Sequence, residues 1–386
     1  MRLLIFSPYY PPHIGGLETH ADEFNKHLSQ EGARITVFTP QLPHDAPSHE
    51  IRHGNVTVIR FPAFEVIHNY PVPKFWDTTF WKLFNEATRE QPDIVISRTR
   101  FFSTSLVALA YAKIKRISWV HIEHGSDFAQ FNGSIKTNIG KLYDYTFGKL
   151  VLMFSDTNVA NSLASAGFVK KLSGRDDCRV IYRGVETQAI ADTKPNTDLR
   201  KRYEGKVVIG YIGRLIDGKG VKDLLEALVL LNDRDFVCLI VGEGPERAAL
   251  ERFITEHSLE EKVILFGNRP FSEAIGILKA CDIFVNPSYT EGIPTAVIEA
   301  ALCGKATIAT AVGGTAEIVT DTDGIMLISP RNPRELSEKL DVLMTDPTLR
   351  QTMGAKAFAE VEQKFSWPRA AKQYLELFEN ITARKK

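Results

Sequence analysis

The chain has 386 residues, of which 44% are hydrophobic and 24% are charged. This composition predicts a folded protein of two domains and excludes a disordered chain. The 47 basic and 47 acidic residues give a formal net charge of zero, which argues against a nucleic-acid partner.

The N-terminus and the cysteines indicate the cellular compartment in which we expect the protein. The first residues, MRLLIFSPYYPP, form a short apolar run that ends at prolines, and no later run approaches the roughly 20 apolar residues of a membrane span. The cysteines are widely spaced and have no disulfide or zinc pattern. We therefore expect reduced thiols, no signal peptide, no spanning helix and a cytoplasmic location. The cysteines are Cys178, Cys238, Cys281 and Cys303.

In the first half, short apolar runs alternate with amphipathic ones, which predicts parallel βαβ units. The strand RLLIF leads to Gly15 and Gly16, which directly precede the predicted helix THADEFNKHLSQEG. Glycines at such a turn let a ligand approach the backbone, and a helix N-terminus favours a phosphate. A glycine turn that serves only packing is the alternative. The spacing does not match the dinucleotide-binding fingerprint, which argues against a nicotinamide oxidoreductase.

A histidine follows a later strand of this half. In WVHIEHGSD, His124 comes after the apolar run and before Gly125. Parallel sheets bind ligands beyond the carboxyl ends of their strands, so we predict that His124 points to the site. A structural histidine is the alternative.

Polar residues 191–204 lack periodicity and are the predicted linker. The second half restarts at KVVIGYIG and leads to GRLIDGKG, residues 213–220, which resembles a P-loop. Gly220 stands where a P-loop needs a magnesium-binding hydroxyl, which disfavours a magnesium-nucleotide hydrolase. We interpret Arg214 and Lys219 as a metal-free clamp on a diphosphate. Solvated surface charges are the alternative.

The stretch YTEGIPTAVIEA carries two carboxylates. Glu291 lies in a predicted loop, and Pro294 suits the first turn of a helix that contains Glu299 and stops at Gly304. Apolar neighbours of Glu299 predict that this carboxylate has a partner. Two acids on one element suit the recognition of sugar hydroxyls, whereas the acid and base of a hydrolase usually come from different elements.

Together these segments resemble the family-4 retaining glycosyltransferases, which have a GT-B architecture. The resemblance implies an α/β fold of two Rossmann-like, doubly wound domains that face each other across a cleft. It places an acceptor-side domain at 1–190, a nucleotide-sugar domain at 205–366, and at 367–386 a helix that crosses back to the first domain. The matching pieces are GG at 15–16, HGSD at 124–127, GRLIDGKG at 213–220, VGEGPE at 241–246, FGNR at 266–269, EGIPTAVIEA at 291–300 and GGTAEIV at 313–319.

The resemblance also implies roles for single residues. Arg214 and Lys219 would hold the diphosphate with the Gly16 backbone, while Glu299 would hold the ribose and Arg269 would lie near the base. The predicted catalytic residues are His124, which would bond to the donor sugar, with Glu291, Arg214 and Lys219. The predicted donor site further includes Gly15, Gly16, Arg269, Gly292, Ile293, Pro294, Thr295 and Glu299. One departure is Arg183, where the family often has an asparagine; no role is predicted for it.

The predicted activity is therefore metal-independent, retaining transfer of a sugar from a UDP-, GDP- or ADP-sugar, with no cofactor, to a glycan or lipid-linked acceptor. A sugar-nucleotide-binding protein, an isomerase or a phosphorylase of the same fold are the alternatives. Residues 89–183 contain fourteen basic and eight acidic residues, and lysines alternate there with apolar residues. We predict that this region contacts an anionic membrane peripherally; a solvated helical face is the alternative.

Overall fold

The structure is a computed structural model, and it describes residues 1–13, 15–65, 70–128, 134–319 and 324–383. The chain divides into two compact units. Unit 1 comprises Met1–Gly184 and Trp367–Lys386, and unit 2 comprises Val185–Ser366. No helix among the described residues has the length and the apolar content to cross a membrane.

Unit 1 contains ten strands and six helices before residue 184, counted over the described residues. They are β1 (Arg2–Phe6), α1 (Gly16–Gln30), β2 (Arg34–Pro40), β3 (His49–Arg52), β4 (Val56–Phe61), β5 (Ala63–Glu65), β6 (Pro71–Pro73), α2 (Thr78–Ala87), β7 (Ile94–Arg98), α3 (Ser103–Lys115), β8 (Ser118–Glu123), α4 (Ser134–Tyr143), α5 (Lys149–Phe154), β9 (Thr157–Ala160), α6 (Leu163–Ser173) and β10 (Arg179–Val180). A π-helical stretch, Asp144–Gly148, joins α4 to α5.

Unit 2 has six strands within the described residues. Its elements are α7 (Thr187–Asp192), α8 (Thr197–Arg202), β11 (Val207–Ile212), α9 (Val221–Val229), β12 (Phe236–Val241), α10 (Arg247–Glu256), β13 (Val263–Gly267), α11 (Phe271–Ala280), β14 (Ile283–Asn286), α12 (Thr295–Leu302), β15 (Ala306–Thr310), β16 (Ile325–Ile328), α13 (Pro333–Thr345) and α14 (Pro347–Lys364). The last helix of the chain, α15 (Trp367–Ala383), belongs to unit 1.

Each unit is built on one large sheet. Among the described residues, the sheet of unit 1 has the order β10-β9-β8-β7-β1-β2-β4-β3, and only β3 is antiparallel to its neighbour. The sheet of unit 2 has the order β13-β12-β11-β14-β15-β16 and is parallel throughout. The order reverses at β1/β7 in unit 1 and at β11/β14 in unit 2, which are the positions where doubly wound folds bind ligands.

Side-chain alternation along β1 places helices on both faces of the first sheet. Leu3 and Ile5 pack in a core shared with α1 and α15. Leu4 and Phe6 pack in a second core shared with α2, α3 and α5. This alternation follows from the two-residue repeat of a strand, and it leaves α2, α3 and α5 side by side on one face of unit 1.

Helix α15 packs on α1 within unit 1. The indole N–H of Trp367 donates to Glu23 over 3.0 Å. Gly184 lies so close to Trp367 that a Cβ at residue 184 would clash with its backbone and ring, which gives a packing reason for the glycine beside Arg183.

The predicted linker, residues 191–204, falls inside unit 2 in this division. The backbone N–H of Asn196 donates to Gly276 of α11 over 2.9 Å, and Lys279 Nζ donates to the carbonyl of Thr193 over 2.6 Å. These bonds hold α7 and α8 against α11.

Candidate active site

The glycine-rich loop after β11 ends at a residue that must be glycine. Gly220 has a φ of 63°, and a Cβ there would clash with the carbonyl oxygen of Pro287 in the loop after β14. Conformation and space therefore both exclude serine or threonine. The hydroxyl that a P-loop uses for magnesium has no room at this position.

Two predicted site residues meet between the loops after β11 and β14. Lys219 Nζ donates to Oε1 of Glu291 over 2.6 Å, and the two side chains are 27% and 10% exposed. Tyr289 ties the loops together, since its backbone N–H donates to Gly218 over 2.9 Å and its hydroxyl to Asp223 over 2.8 Å. The pair fixes the Lys219 ammonium at the point where the strand order reverses.

Arg214 lies on the same loop and is exposed. Over the residues that the structure describes, its guanidinium has no hydrogen-bond or ion-pair partner. Its carbonyl accepts a hydrogen bond of 3.1 Å from the hydroxyl of Tyr211, a fully buried residue. Burial, and then the charge of Glu291, raise the pKa of Tyr211. The neutral phenol holds the backbone while the guanidinium stays available to an anion.

Helix α12 carries the second predicted carboxylate. It begins at Thr295, and Pro294 immediately precedes it, one residue before the predicted first turn. The carbonyl of Gly292 accepts a hydrogen bond of 2.8 Å from Gly314, in the loop after β15. Glu299 is half-buried on this helix, as its apolar neighbours predicted.

Arg269 lies apart from Lys219 and Glu291. It follows β13, and β12 separates that edge strand from β11. Its Nε donates to the carbonyl of Phe266 over 3.1 Å, and its guanidinium lies 3.7 Å from Glu273. It lines a cavity of about 670 Å³ beside α11, so the structure does not bring it to the Lys219–Glu291 pair.

The glycine turn of unit 1 has an acidic neighbour. Gly15 directly precedes α1, which begins at Gly16. Glu18 is 4% exposed, touches the position that a Gly15 Cβ would take, and lies 2.5 Å from Nδ1 of His13. A carboxylate is favourable at a helix N-terminus, but it also opposes a phosphate there.

His124 packs in unit 1 in a cluster with His20 and the positively charged Arg98. Its ring lies 4.8 Å from that of His20 on α1, and its buried Nε2 has no partner among the described residues. The Nη1 atom of Arg98 donates to Nδ1 of His20 over 3.1 Å. Burial, followed by the charge of Arg98, lowers the pKa of His124 to about 3, so this imidazole is neutral at pH 7.

A buried ion-pair network supports the loop after His124. Glu123 accepts hydrogen bonds from the backbone of His124 (3.0 Å) and Gly125 (2.8 Å). Its Oε1 lies 3.0 Å from Arg100, which also contacts Asp144 at 3.0 Å. The Arg100 charge, the largest influence opposing burial, holds the pKa of Glu123 well below its usual range. Within the described ranges, no three His, Cys, Asp or Glu residues gather to hold a metal.

Comparison with known families covers both units. The model of glycosyl transferases group 1 matches residues 195–360, and that of glycosyltransferase family 4 matches residues 14–189. An uncharacterized glycosyltransferase of Methanocaldococcus jannaschii is 36% identical over 389 residues, which is 99% of each chain. The chain belongs to the family-4 glycosyltransferases. A more distant relative of this glycosyltransferase is a phosphatidylinositol N-acetylglucosaminyltransferase subunit of Saccharomyces cerevisiae, 24% identical over 99% of this chain and 83% of its own.

Solved structures confirm the fold of this family-4 glycosyltransferase. Sucrose-phosphate synthase from Thermosynechococcus elongatus superposes with a TM-score of 0.82 at 20% identity, over 99% of each chain. HepE from Anabaena, solved with UDP, gives 0.79 at 22% identity, over 98% of this chain and 100% of its own. The predicted GT-B fold class and the predicted function as a glycosyltransferase are confirmed.

Sequence reasoning missed the buried charges of the glycosyltransferase. It gave no role to Glu123, Arg98, Arg100 or His20. Charged residues inside the apolar strands IVISR and SWVHIE were the available signal, because a buried charge requires a partner.

Proposed function

We propose that this glycosyltransferase moves a sugar, with retention of anomeric configuration and without a metal ion, from a nucleotide-diphosphate sugar to a lipid-linked or glycan acceptor. The observation that carries the proposal is the Lys219–Glu291 pair of 2.6 Å, beside the exposed Arg214, whose guanidinium has no partner in the part of the chain that the structure describes. Lys219 and Arg214 both follow β11, at the carboxyl edge of the unit 2 sheet, which suits a diphosphate.

The names of similar proteins support both substrates. HepE from Anabaena was solved with UDP, a nucleoside diphosphate of the kind that the proposed donor would release. The yeast relative is named for a phosphatidylinositol acceptor, which is a lipid. The sugar, the base and the linkage of this chain do not follow from either name.

In the proposed reaction, the bond between the anomeric carbon and the diphosphate oxygen breaks, and the diphosphate leaves with the electron pair. The acceptor hydroxyl oxygen forms the new bond to the anomeric carbon, and its proton passes to the departing diphosphate oxygen. Negative charge therefore develops on the leaving group, where preorganised cations lower the barrier most. Glu291 holds Lys219 in position. The N–H groups of the Lys219 ammonium that do not bond to Glu291 can donate to a phosphate oxygen.

The remaining predicted residues bind rather than react. We assign Glu291 to a hydroxyl of the donor sugar and Glu299 to the ribose hydroxyls, because carboxylate oxygens accept hydrogen bonds. His124 is neutral at pH 7, so its ring can donate at one nitrogen and accept at the other. We assign it a hydrogen bond to the donor sugar. Gly15 and Gly16 contribute less to the diphosphate in this proposal, because the Glu18 carboxylate lies beside Gly15 and opposes an anion at this helix N-terminus.

The test is a donor panel of UDP-, GDP- and ADP-sugars with and without acceptor extracts. Release of free nucleoside diphosphate only when the acceptor is present supports transfer. If the donor binds but no nucleoside diphosphate is released with or without acceptor, the protein is a sugar-nucleotide-binding protein. If the donor is converted to another sugar nucleotide in the absence of acceptor, the protein is an isomerase. The anomeric configuration of the product, read by NMR, tests retention.

We also propose that unit 1 docks peripherally on an anionic membrane. Residues 135–154 of α4, the π-helical stretch and α5 expose an apolar surface and three lysines, and the one acid in this described segment, Asp144, is buried. Alternating basic and apolar exposure is suited to a lipid interface. We call this surface the basic apolar face; it consists of Ile135, Lys136, Ile139, Lys141, Leu142, Lys149, Leu150 and Phe154.

A further inference from the structure

An apolar groove in unit 1 lies outside the candidate active site, between α2 and α3. It has a volume of about 500 Å³. Aromatic and aliphatic side chains form its walls, and Trp81 and Ile114 are 49% and 78% exposed. An exposed apolar surface of this kind marks a binding site for an apolar partner. The wall residues used below are Phe80, Trp81, Phe84, Leu106, Ala110 and Ile114.

The length of the groove matches one lipid chain. It is lined from Ser103 to Lys115, the first and last residues of α3. A helix of 13 residues is roughly 20 Å long at 1.5 Å per residue. The chains of one leaflet span about 15 Å, which is half of the hydrocarbon thickness of a bilayer.

One end of the groove reaches the site edge of the sheet. Ser103 follows β7, whose neighbour β8 leads to His124. The ring of Phe102, just before Ser103, contacts Tyr9 at 5.2 Å, and Tyr9 stacks on His13 at 4.7 Å. A molecule in the groove would therefore present its head group beside the β1–α1 loop and the carboxyl edge of unit 1.

The helices that line the groove share a layer with α5, which carries part of the basic apolar face. Helix α5 contributes Val151 to the core that contains Ala108 and Tyr111 of α3, so α2, α3 and α5 form one layer. Trp76, in the loop before α2, is 72% exposed. Lys115 lies at the far end of the groove, where a lysine can contact anionic head groups.

We propose that this groove binds the hydrocarbon chain of the acceptor, with the acceptor head group at the Ser103 end. The acceptor would then be lipid-linked rather than a free glycan. This inference rests on the proposed transferase function, but binding of the chain can be measured without any sugar donor.

The probe is 12-bromododecyl phosphate below its micellar concentration. Trp119 and Trp367 are 0% and 1% exposed, so Trp76→Phe leaves Trp81 as the accessible tryptophan. Bromine should quench its fluorescence saturably. In a series of alkyl phosphates, each methylene removed should weaken binding by roughly fourfold, the equivalent of about 0.8 kcal/mol per buried CH₂. Ala110→Trp, at an exposed wall residue, should weaken binding at least tenfold, and the matched Ala110→Ser should not; both are measured by isothermal titration calorimetry, because a tryptophan at residue 110 would add its own fluorescence.

Three results would overturn the inference. Equal binding of inorganic phosphate and dodecyl phosphate would show that only the head group binds. Absence of quenching would show that the groove takes no chain. Self-association that Ala110→Trp abolishes, measured by sedimentation velocity without lipid, would assign the groove to a second copy. If the protein still releases nucleoside diphosphate from the donor in any of these cases, only the assignment of the groove to the acceptor chain fails. If the groove binds a hydrocarbon chain but the protein releases no nucleoside diphosphate, the transferase proposal is refuted instead.

Discussion

Replacing Lys219 tests the diphosphate clamp. Removal of one preorganised electrostatic donor lowers turnover by ~100- to 1,000-fold, and the lower figure applies here because Arg214 remains on the same loop. Lys219→Ala also removes the partner of the Glu291 carboxylate, 2.6 Å away. Two negative charges about 5 Å apart repel by about 3 kcal/mol at an effective dielectric constant of 20. We therefore expect a loss of at least about 100-fold, and Glu291→Gln in the same chain, which removes this repulsion, should restore most of it.

The assay is steady-state release of nucleoside diphosphate with acceptor present, for the parent, both single variants and the double variant. Lys222→Ala is the matched control, because this lysine is 67% exposed and pairs only loosely with Glu226 at 3.5 Å; its turnover should be unchanged. Turnover of Lys219→Ala within threefold of the parent would refute the clamp. If the double variant of Lys219→Ala and Glu291→Gln turns over no faster than Lys219→Ala, the Glu291 charge does not repel the phosphates.

Three further predictions concern metal, membrane and acid. Activity should survive excess chelator, since Lys219 and Arg214 supply the positive charge; a loss reversed specifically by magnesium or manganese would contradict this. Each basic residue near an anionic surface contributes about 1 kcal/mol, so replacing both Lys141 and Lys149 of the basic apolar face with Glu should reduce vesicle sedimentation at least tenfold at low salt. Equal recovery of the parent in the supernatant with anionic and neutral vesicles, at low and high salt, would end the proposal. Burial lowers the pKa of His20 and His124 in the folded chain, so stability is complete above the unfolded value near 6.5 and falls as pH drops below it, by up to about 1.4 kcal/mol per pH unit for each histidine. His20→Phe should flatten the dependence of the urea midpoint on pH, and a parent with a flat midpoint between pH 7 and pH 5 would contradict the argument.

The sequence predicted the parts of the fold that periodicity encodes. The strands in RLLIF and KVVIGYIG are almost wholly apolar because both faces of a parallel sheet are covered, and both were predicted. Short strands were missed because two to four residues carry too little pattern: β3, β5, β6, β9 and β10 are examples. The contacts of the 191–204 segment could not be predicted for a different reason, since they run to α11, far along the chain, and its short exposed helices carry little periodicity.

The candidate site also has parts that the sequence predicted and parts that it did not. Glycine and proline positions after strands identified the loops that carry Arg214, Lys219 and Glu291, because backbone geometry restricts those residues locally. The ion pair between Lys219 and Glu291 joins loops 72 residues apart, and only the strand order makes them neighbours. The separation of Arg269 from that pair has the same origin, since β12 lies between β13 and β11.

Arg98 explains why His124 suits a sugar rather than a proton transfer. Arg98 is fully buried, and among the described residues its Nε and Nη2 have no partner. Its Nη1 can only donate, so Nδ1 of His20 must accept and the proton of His20 lies on Nε2. A fixed positive charge next to two buried imidazoles keeps both neutral, in addition to the effect of burial itself. A neutral His124 can exchange hydrogen bonds with a hydroxyl without adding charge to it.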